Sequence, residues 1–402
     1  MSVNSIRRSP SFRMPNATTV LQQMLHLLPE DRFESFVGQH KADRYVKTFS
    51  CRNQLCTLLY AQATGKDSLR GIETGLRSLD SMWYHLGLTS VARSTIAYAN
   101  EHRPSQIYES LFYAMLEKCQ SLAPKRTFSF QNELRAIDST TIDLCLSLFS
   151  WAQFRTAKGA IKLHTSFNVR SQIPDLIELT DGKTHDITAM KRIDFSQYPK
   201  GTIFIIDRGY FDLALLQAMV DAGHHFVIRL KKNAQIVRIE EHRTPTGDGV
   251  LKDERIAFML PQSQEKYPGD LRLVTYHDAE HDVTYQFLTD EFRLSATNIA
   301  LIYKQRWQVE LFFKWIKQHL KIKTFLGTSK NAVMSQVWVA MIYFLLLSWI
   351  AFQTKFHGSL LDLTRIVTEL ILRRVHLIDS LSLTPKTIHR LRARDGPQLL
   401  LF

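Results

Sequence analysis

Tyr-Lys-Gln-Arg-Trp-Gln-Val-Glu-Leu-Phe-Phe-Lys-Trp-Ile-Lys-Gln-His-Leu-Lys, residues 303–321, contains neither Pro nor Gly and is rich in good helix formers. The stretch reads as one helix. At ~100° per residue, Tyr303, Arg306, Glu310 and Lys317 fall within about 60° of one another, with Lys314 and Lys321 beside them. Val309, Leu311, Phe312, Phe313, Trp315, Ile316 and Leu320 spread over most of the remaining circle. Such a helix packs into a core and keeps one polar stripe. Two roles are open to Glu310, the lone carboxylate on that stripe. It could ligate a metal beside a phosphate, or it could form a surface ion pair with Lys314 or Lys317. The helix taken alone favours the ion pair, so the rest of the chain has to decide.

Lys and Arg number 51 against 38 Asp and Glu, a formal charge of +13. A surplus of that size points to a polyanionic partner, most often nucleic acid. With 402 residues, 45% of them hydrophobic, the chain can bury one large core or two to three domains. The four cysteines, at 51, 56, 119 and 145, make no CxxC and no zinc spacing with histidine, so they read as thiols of a reducing compartment. The first 29 residues carry no acid and several Arg and Ser, but Gln22, Gln23 and His26 interrupt any signal-peptide core. The strongest membrane candidate, Val337 to Phe352, is 16 residues long. A bilayer span needs roughly 20, so the segment reads as a buried core helix.

Along the chain, residues 1–130 read as helical. Phe49 to Thr64 carries Leu55, Leu58 and Leu59 on one face, Ser68 starts a second helix, and Tyr108 to Leu122 is amphipathic. A short polar helix around Ser90 to Arg103, with Arg93, Ser94 and Thr95 early in it, suits either a helix-turn-helix-like DNA module or a plain bundle. From residue 131 the texture turns to strands: Leu134 to Leu144, Leu163 to Val169 and Asp175 to Leu179. Thr202-Ile-Phe-Ile-Ile-Asp207 is a strand buried on both faces, Asp212 caps the next helix, and His225 to Leu230 is a further strand. This is a β-α-β unit with a parallel pair. Residues 231–292 alternate short strands with turns and form a mostly β insertion, and from Ser295 the chain is helical with a basic tail.

Three acids stand out by placement. Asp138 lies inside an apolar, hydroxylic strand, Asp207 ends a buried strand, where open α/β sheets put their sites, and Glu310 sits on the polar stripe. Buried carboxylates are costly unless paired or on a metal. Three of them without Cys or His ligands nearby fit a hard divalent cation. Two such ions could activate a nucleophilic oxygen and stabilise the leaving oxygen of a phosphodiester, with the flanking bases on the phosphates. Asp143 and Asp212 compete as ligands, but Asp143 faces the other side of its strand and Asp212 has a role as a cap.

Tyr303, Arg306, Glu310 and Lys317 keep the spacing Tyr-x2-Arg-x3-Glu-x6-Lys. With Ile137-Asp138-Ser139-Thr140 and Asp207-Arg208-Gly209-Tyr210, they make the chain resemble bacterial insertion-sequence transposases of the DDE type, in the insertion-sequence-four family. Phe49-Ser50 and Gly65 to Arg70 resemble the helical domain preceding the catalytic domain in one branch of that family. The resemblance implies an α/β, RNase H-like catalytic domain over 131–402, interrupted by the β insertion and preceded by an all-α DNA-binding domain over 1–130. It assigns Asp138, Asp207 and Glu310 as the catalytic, metal-binding triad for two Mg²⁺, or Mn²⁺. Tyr303, Arg306 and Lys317, with Lys314, Lys321 and Arg208, are the candidate DNA contacts. The implied activity is metal-dependent cleavage at the element's terminal inverted repeats and strand transfer into target DNA, by a homodimer in the bacterial cytoplasm at the nucleoid. A domesticated DNA-binding protein without catalysis, or an RNase H-like nuclease without strand transfer, are the alternatives. The insertion contains no tryptophan for base stacking, which leaves Tyr267, Tyr276 or Tyr285, and His185-Asp186 reads as a loop or a supporting pair.

Overall fold

A computed structural model describes residues 18–88, 91–124, 126–155, 158–231, 233–242, 248–319 and 325–382. In these, helices α1 (Val20–His26), α2 (Glu30–Gln39), α3 (Cys51–Thr64), α4 (Leu69–Arg77), α5 (Trp83–Leu86), α6 (Arg93–His102) and α7 (Gln106–Gln120) come first. Strands β1 (Leu134–Leu144), β2 (Gln153–Arg155), β3 (Lys158–Asn168) and β4 (Ile173–Asp181) lead to α8 (Asp186–Met190), β5 (Ile203–Ile206), α9 (Leu213–Asp221) and β6 (His225–Arg229). The insertion supplies β7 (Ile236–Glu241), β8 (Val250–Phe258), α10 (Pro261–Lys266), β9 (Leu271–Asp278) and β10 (Val283–Thr289). Helices α11 (Ala296–Lys304), α12 (Trp307–His319), α13 (Lys330–Thr354), α14 (Leu360–Leu370) and α15 (Leu377–Ser382) follow.

The chain divides into two compact units, 1–122 with 324–402, and 123–323. The helices after residue 324, grouped with the strands in the sequence reading, therefore pack on the N-terminal helices instead. The cause is α13, which is apolar on every side. It must be surrounded, and α3, α6, α7, α14 and α15 surround it. Although α13 is long and apolar enough to cross a membrane, its most apolar window is wholly buried inside this unit. Local chemistry sets its neighbours. Ser50 and Asn53 form a reciprocal capping box at α3, and Gly65 ends that helix in the left-handed region at φ 65°. Cys51, Cys56 and Cys119 are buried free thiols, each pushed up to about 12 chiefly by burial. α6 begins at Arg93, with Arg93 and Ser94 exposed, but the helix before it, α5, spans only Trp83–Leu86.

The second unit is one mixed sheet, ordered β2-β3-β1-β5-β6-β10-β9-β8-β7, with β4 on β3. β1 runs antiparallel to β3 and parallel to β5, and β5 is parallel to β6. This is the α/β, RNase H-like arrangement the sequence implied. The β5-α9-β6 crossover forms as expected. Asp212 accepts from Leu215 N at 3.0 Å to start α9, and Gly223, at φ 80°, lets the chain turn after it. The insertion is not a separate body: β10 pairs antiparallel with β6, so its strands continue the same sheet. Arg272 fastens that extension. Its guanidinium binds both oxygens of buried Asp253 at 2.8 and 2.7 Å and donates to the Glu291 and Leu294 carbonyls, which precede α11.

A second fastening joins β6 to the end of β10. His225 Nδ1 lies 2.7 Å from Asp290 Oδ2 and Nε2 3.2 Å from Glu291 Oε2. The Asp290 hydrogen bond raises the His225 pKa above its ordinary 6.5, against the cost of burial. The imidazolium's contribution to stability is fully present below about 6.5 and is lost as the pH rises through the raised folded value. His225→Gln should therefore cost about 1–2 kcal/mol at pH 6 and clearly less at pH 9, as read by urea unfolding. An equal loss at both values would show that the imidazolium contributes nothing.

Candidate active site

Strand pairing brings the first two acids together. Ile137 of β1 sits opposite Ile206 of β5 in parallel register, so Asp138 and Asp207 are the next residues on neighbouring strands. Ile137 and Ile206 both belong to the apolar cluster on one face of the sheet, with Met190, Tyr210 and Leu216. Alternation along a strand then turns Asp138 to the opposite face. α12 covers that face, with Phe312 tilted on Phe167 at 5.2 Å between ring centroids. Glu310 is on α12, two residues before that anchor. Asp207 follows the last residue of β5 and accepts from Gly209 N at 3.2 Å. Asp143, the rival, is exposed, and Asp212 is occupied by its cap bond and by Lys191 at 2.8 Å.

The described part of this stretch, 303–319, falls in two helices rather than one. α11 ends at Lys304 and α12 begins at Trp307. Across the join, Arg306 N bonds to Tyr303 O at 3.0 Å and Val309 N to Arg306 O at 3.2 Å, both three residues back. Two side chains pull in different directions there. Buried Tyr303 stacks on Phe287 of β10, with centroids 4.6 Å apart, while Arg306 reaches into the acids. No Gly or Pro marks the break, so helix propensity gives no sign of it. The rotation also leaves Leu311, expected in the core, 43% exposed beside Trp307 at 56%.

Arg306 is the centre of the site. Its Nη1 donates to Asp138 Oδ2 at 3.0 Å, and its Nη2 donates to Glu310 Oε1 one helical turn on. Glu310 is thus ion-paired, but to Arg306 and not to Lys314 or Lys317. Burial pushes the Asp138 carboxyl up to about 6, with Asp207 and Glu310 adding to the rise, while the Ser139 N–H and Arg306 oppose it. Three carboxylates in one region, offering hard oxygen donors only, make a donor set suited to a divalent cation. Two of them, Asp138 and Glu310, hold the guanidinium, and the three do not close on one point among the described residues. Among the described residues, only Asp278, Glu280 and His281, at the β9–β10 turn, bring three donor atoms within 4.8 Å of one another.

The remaining candidates fall into three groups. Arg208, Lys314 and Lys317 are exposed; Tyr303 is buried, its phenol pushed up to about 12 by burial. Lys321 lies outside the described residues. Of the insertion tyrosines, Tyr267 is packed into the sheet's apolar cluster and so cannot stack on a base, while Tyr276 and Tyr285 are half-buried near Phe287. Sequence reading missed the residues behind Asp138. Ser139, Lys162, His164 and Asp186 gather on the reverse face, and the only sign of them was the polar pair at 185–186.

The bridge by Arg306 yields a measurable consequence. Replacing it leaves Asp138 and Glu310 without their shared cation, a loss of roughly 3–5 kcal/mol for a fully buried pair. The side chains here are 16%, 18% and 31% exposed for Arg306, Asp138 and Glu310, so the loss is smaller. Arg306→Gln should lower the unfolding free energy by about 1–3 kcal/mol at pH 8, as measured in urea. Millimolar Mg²⁺ should recover part of that loss, and NaCl at matched ionic strength should not.

Comparison with known proteins bears on what this site belongs to. Residues 129–346, more than half of the chain, match the family model described as the transposase DDE domain, and residues 16–89 match a domain family of unknown function. The chain is 30% identical to "Probable transposase for insertion sequence element IS5377" of Geobacillus stearothermophilus, over 67% of this chain and 70% of that protein. It is 30% identical to "Putative transposase y4zB" of Sinorhizobium fredii over 78% and 86% of the two chains. Against "Putative transposase for insertion sequence element IS4SA" of Synechocystis the identity is 24%, over 75% and 85%. The chain therefore belongs to the transposase DDE domain family, as a DNA transposase of the insertion-sequence-four type.

Proposed function

We propose that this transposase cleaves DNA at the ends of its element and joins those ends to a target, with Asp138, Asp207 and Glu310 as the catalytic carboxylates. The observation that supports the reading is the placement of Asp138 on β1 near Asp207, just past the end of the neighbouring parallel strand β5, with Arg306 linking Asp138 to Glu310. The family generally uses divalent metal ions, and the carboxylates suit Mg²⁺, with Mn²⁺ as a substitute, as a pair of ions. When bound, such ions supply activation of the attacking oxygen and charge stabilisation at the leaving oxygen of the phosphodiester. The chain's own residues do the rest. Ser139 N–H holds the Asp138 carboxylate at 2.8 Å, Arg306 holds Asp138 and Glu310 in one plane of approach, and Tyr303 anchors the α11–α12 join on the sheet.

DNA is the substrate of the family, and the exposed bases Arg208, Lys314 and Lys317 supply sequence-independent phosphate contacts beside the carboxylates. Lys321 extends that set in sequence, and the helical domain, 1–130 in the sequence reading, holds the terminal inverted repeat. A homodimer on paired ends, working in the cytoplasm on the nucleoid, completes the proposal.

Purified protein with a labelled terminal-repeat duplex and a target plasmid tests the reading. Asp138→Asn, Asp207→Asn and Glu310→Gln should each reduce cleavage and joining to background while binding the duplex as the parent does. Cleavage retained by any one removes that residue from the site. Hydrolysis without joined product would identify a nuclease, and binding without cleavage by the parent a DNA-binding protein. Lys317→Ala should lower the slope of log affinity against log salt by about one, whatever the DNA sequence. An unchanged slope would mean that Lys317 touches no phosphate.

A further inference from the structure

The face of β1 opposite Asp138 carries a polar cluster that the reaction just proposed does not use. Asp186, the first residue of α8, accepts from Ser139 Oγ at 2.7 Å and from Lys162 Nζ at 3.2 Å. Lys162 also donates to the Thr184 carbonyl at 2.9 Å, which ties it to the segment that leads into α8. His164, directly opposite Ser139 in the β1–β3 register, places its Nδ1 3.7 Å from the same Asp186 oxygen and its Nε2 2.9 Å from Thr180 Oγ1 on β4. One carboxylate oxygen thus gathers groups from β1 and β3, at the point where α8 packs on the sheet.

Ser139 is held from two sides. Its side chain is bound by Asp186 on one face, and its backbone N–H donates to Asp138 Oδ1 at 2.8 Å toward the other. A strand residue fixed at Oγ has little freedom to rotate its peptide plane, so the N–H that orients the Asp138 carboxylate is fixed as well. We propose that Lys162, Asp186 and Ser139 form a positioning relay that sets the orientation of the Asp138 carboxylate for divalent-cation binding. Asp186 touches neither substrate nor cation; it acts through Ser139. Polar groups that orient a ligating residue affect metal affinity by about 10–100-fold. The relay rests on the assignment of Asp138 as a ligand.

The test measures cation affinity rather than catalysis. The thermal unfolding midpoint of the full chain is followed as Mn²⁺ is titrated, for the parent and for Ser139→Ala, Ser139→Thr, Asp186→Asn and Asp138→Asn. Ser139→Ala and Asp186→Asn should weaken the apparent affinity about tenfold or more, and Ser139→Thr, which keeps the hydroxyl, should stay within about twofold of the parent. Should Asp186→Asn unfold without metal, Ser139→Ala carries the test alone, since it removes a single oxygen. Parent-like affinity in a folded Ser139→Ala overturns the relay, as does a Ser139→Thr variant as weak as Ser139→Ala. Parent-like affinity in Asp138→Asn overturns the ligand assignment itself, a separate failure.

Discussion

Crowding three carboxylates at one end of a sheet is the constraint on which the rest of this structure turns. Burial, with Asp207 and Glu310 nearby, raises the cost of ionising Asp138 and pushes its carboxyl up to about 6. A fold can keep such a group only by placing positive charge within reach. Arg306 does so, with a rigid planar fork that can hold two acids at once. The break between α11 and α12 follows from the same demand. A continuous helix anchored through Tyr303 would carry Arg306 and Glu310 along one straight axis, whereas the tightened turn lets the guanidinium enter from beneath. The helical preference of a few residues is a small term beside the compensation of buried charge.

The distant parts of the second unit serve the same end. Strands β7 to β10 do not stand apart as a module but lengthen the sheet through β10 on β6, and Phe287 on β10 is the surface on which Tyr303 rests. Arg272 connects that extension to the carbonyls just before α11, and His225 closes the corner between β6 and the end of β10. The insertion therefore supports the α11–α12 join that carries Glu310, and the proposed relay on the reverse face of β1 reaches Asp138 through Ser139. The candidate acids thus stand among contacts made from neighbouring strands of the sheet and from its reverse face, by residues remote in sequence.

Much of this was legible beforehand because it depends on local rules. The boundaries of β1, the caps at Ser68 and Asp212, the crossover from β5 to β6 and the burial of α13 all follow from alternation, capping chemistry and apolar length. The spacing of Tyr303, Arg306, Glu310 and Lys317 singled out the helix that carries the third acid. The family comparison agrees with the family that this spacing pointed to. Leu311 was misplaced because a helical wheel assumes one axis and the chain uses two. Asp186 was noticed but not understood, since nothing within a few residues of it states that Ser139, 47 positions earlier, would be its partner.

By itself, then, the sequence determined most of the strands and helices, that the chain is strongly basic, and which three acids and four signature residues were candidates for one site. Those properties are carried by neighbours in the chain and by composition, so they survive without knowledge of the fold. Only the tertiary structure decided that Asp138 and Asp207 are side by side, that Glu310 pairs with Arg306 rather than with a lysine, and that the helices after residue 324 pack with the N-terminal ones. Such facts depend on strand register, on the competition among cations for a buried carboxylate, and on which surface an all-apolar helix finds to cover it. Each is settled between residues far apart in the chain, where periodicity and propensity carry no information.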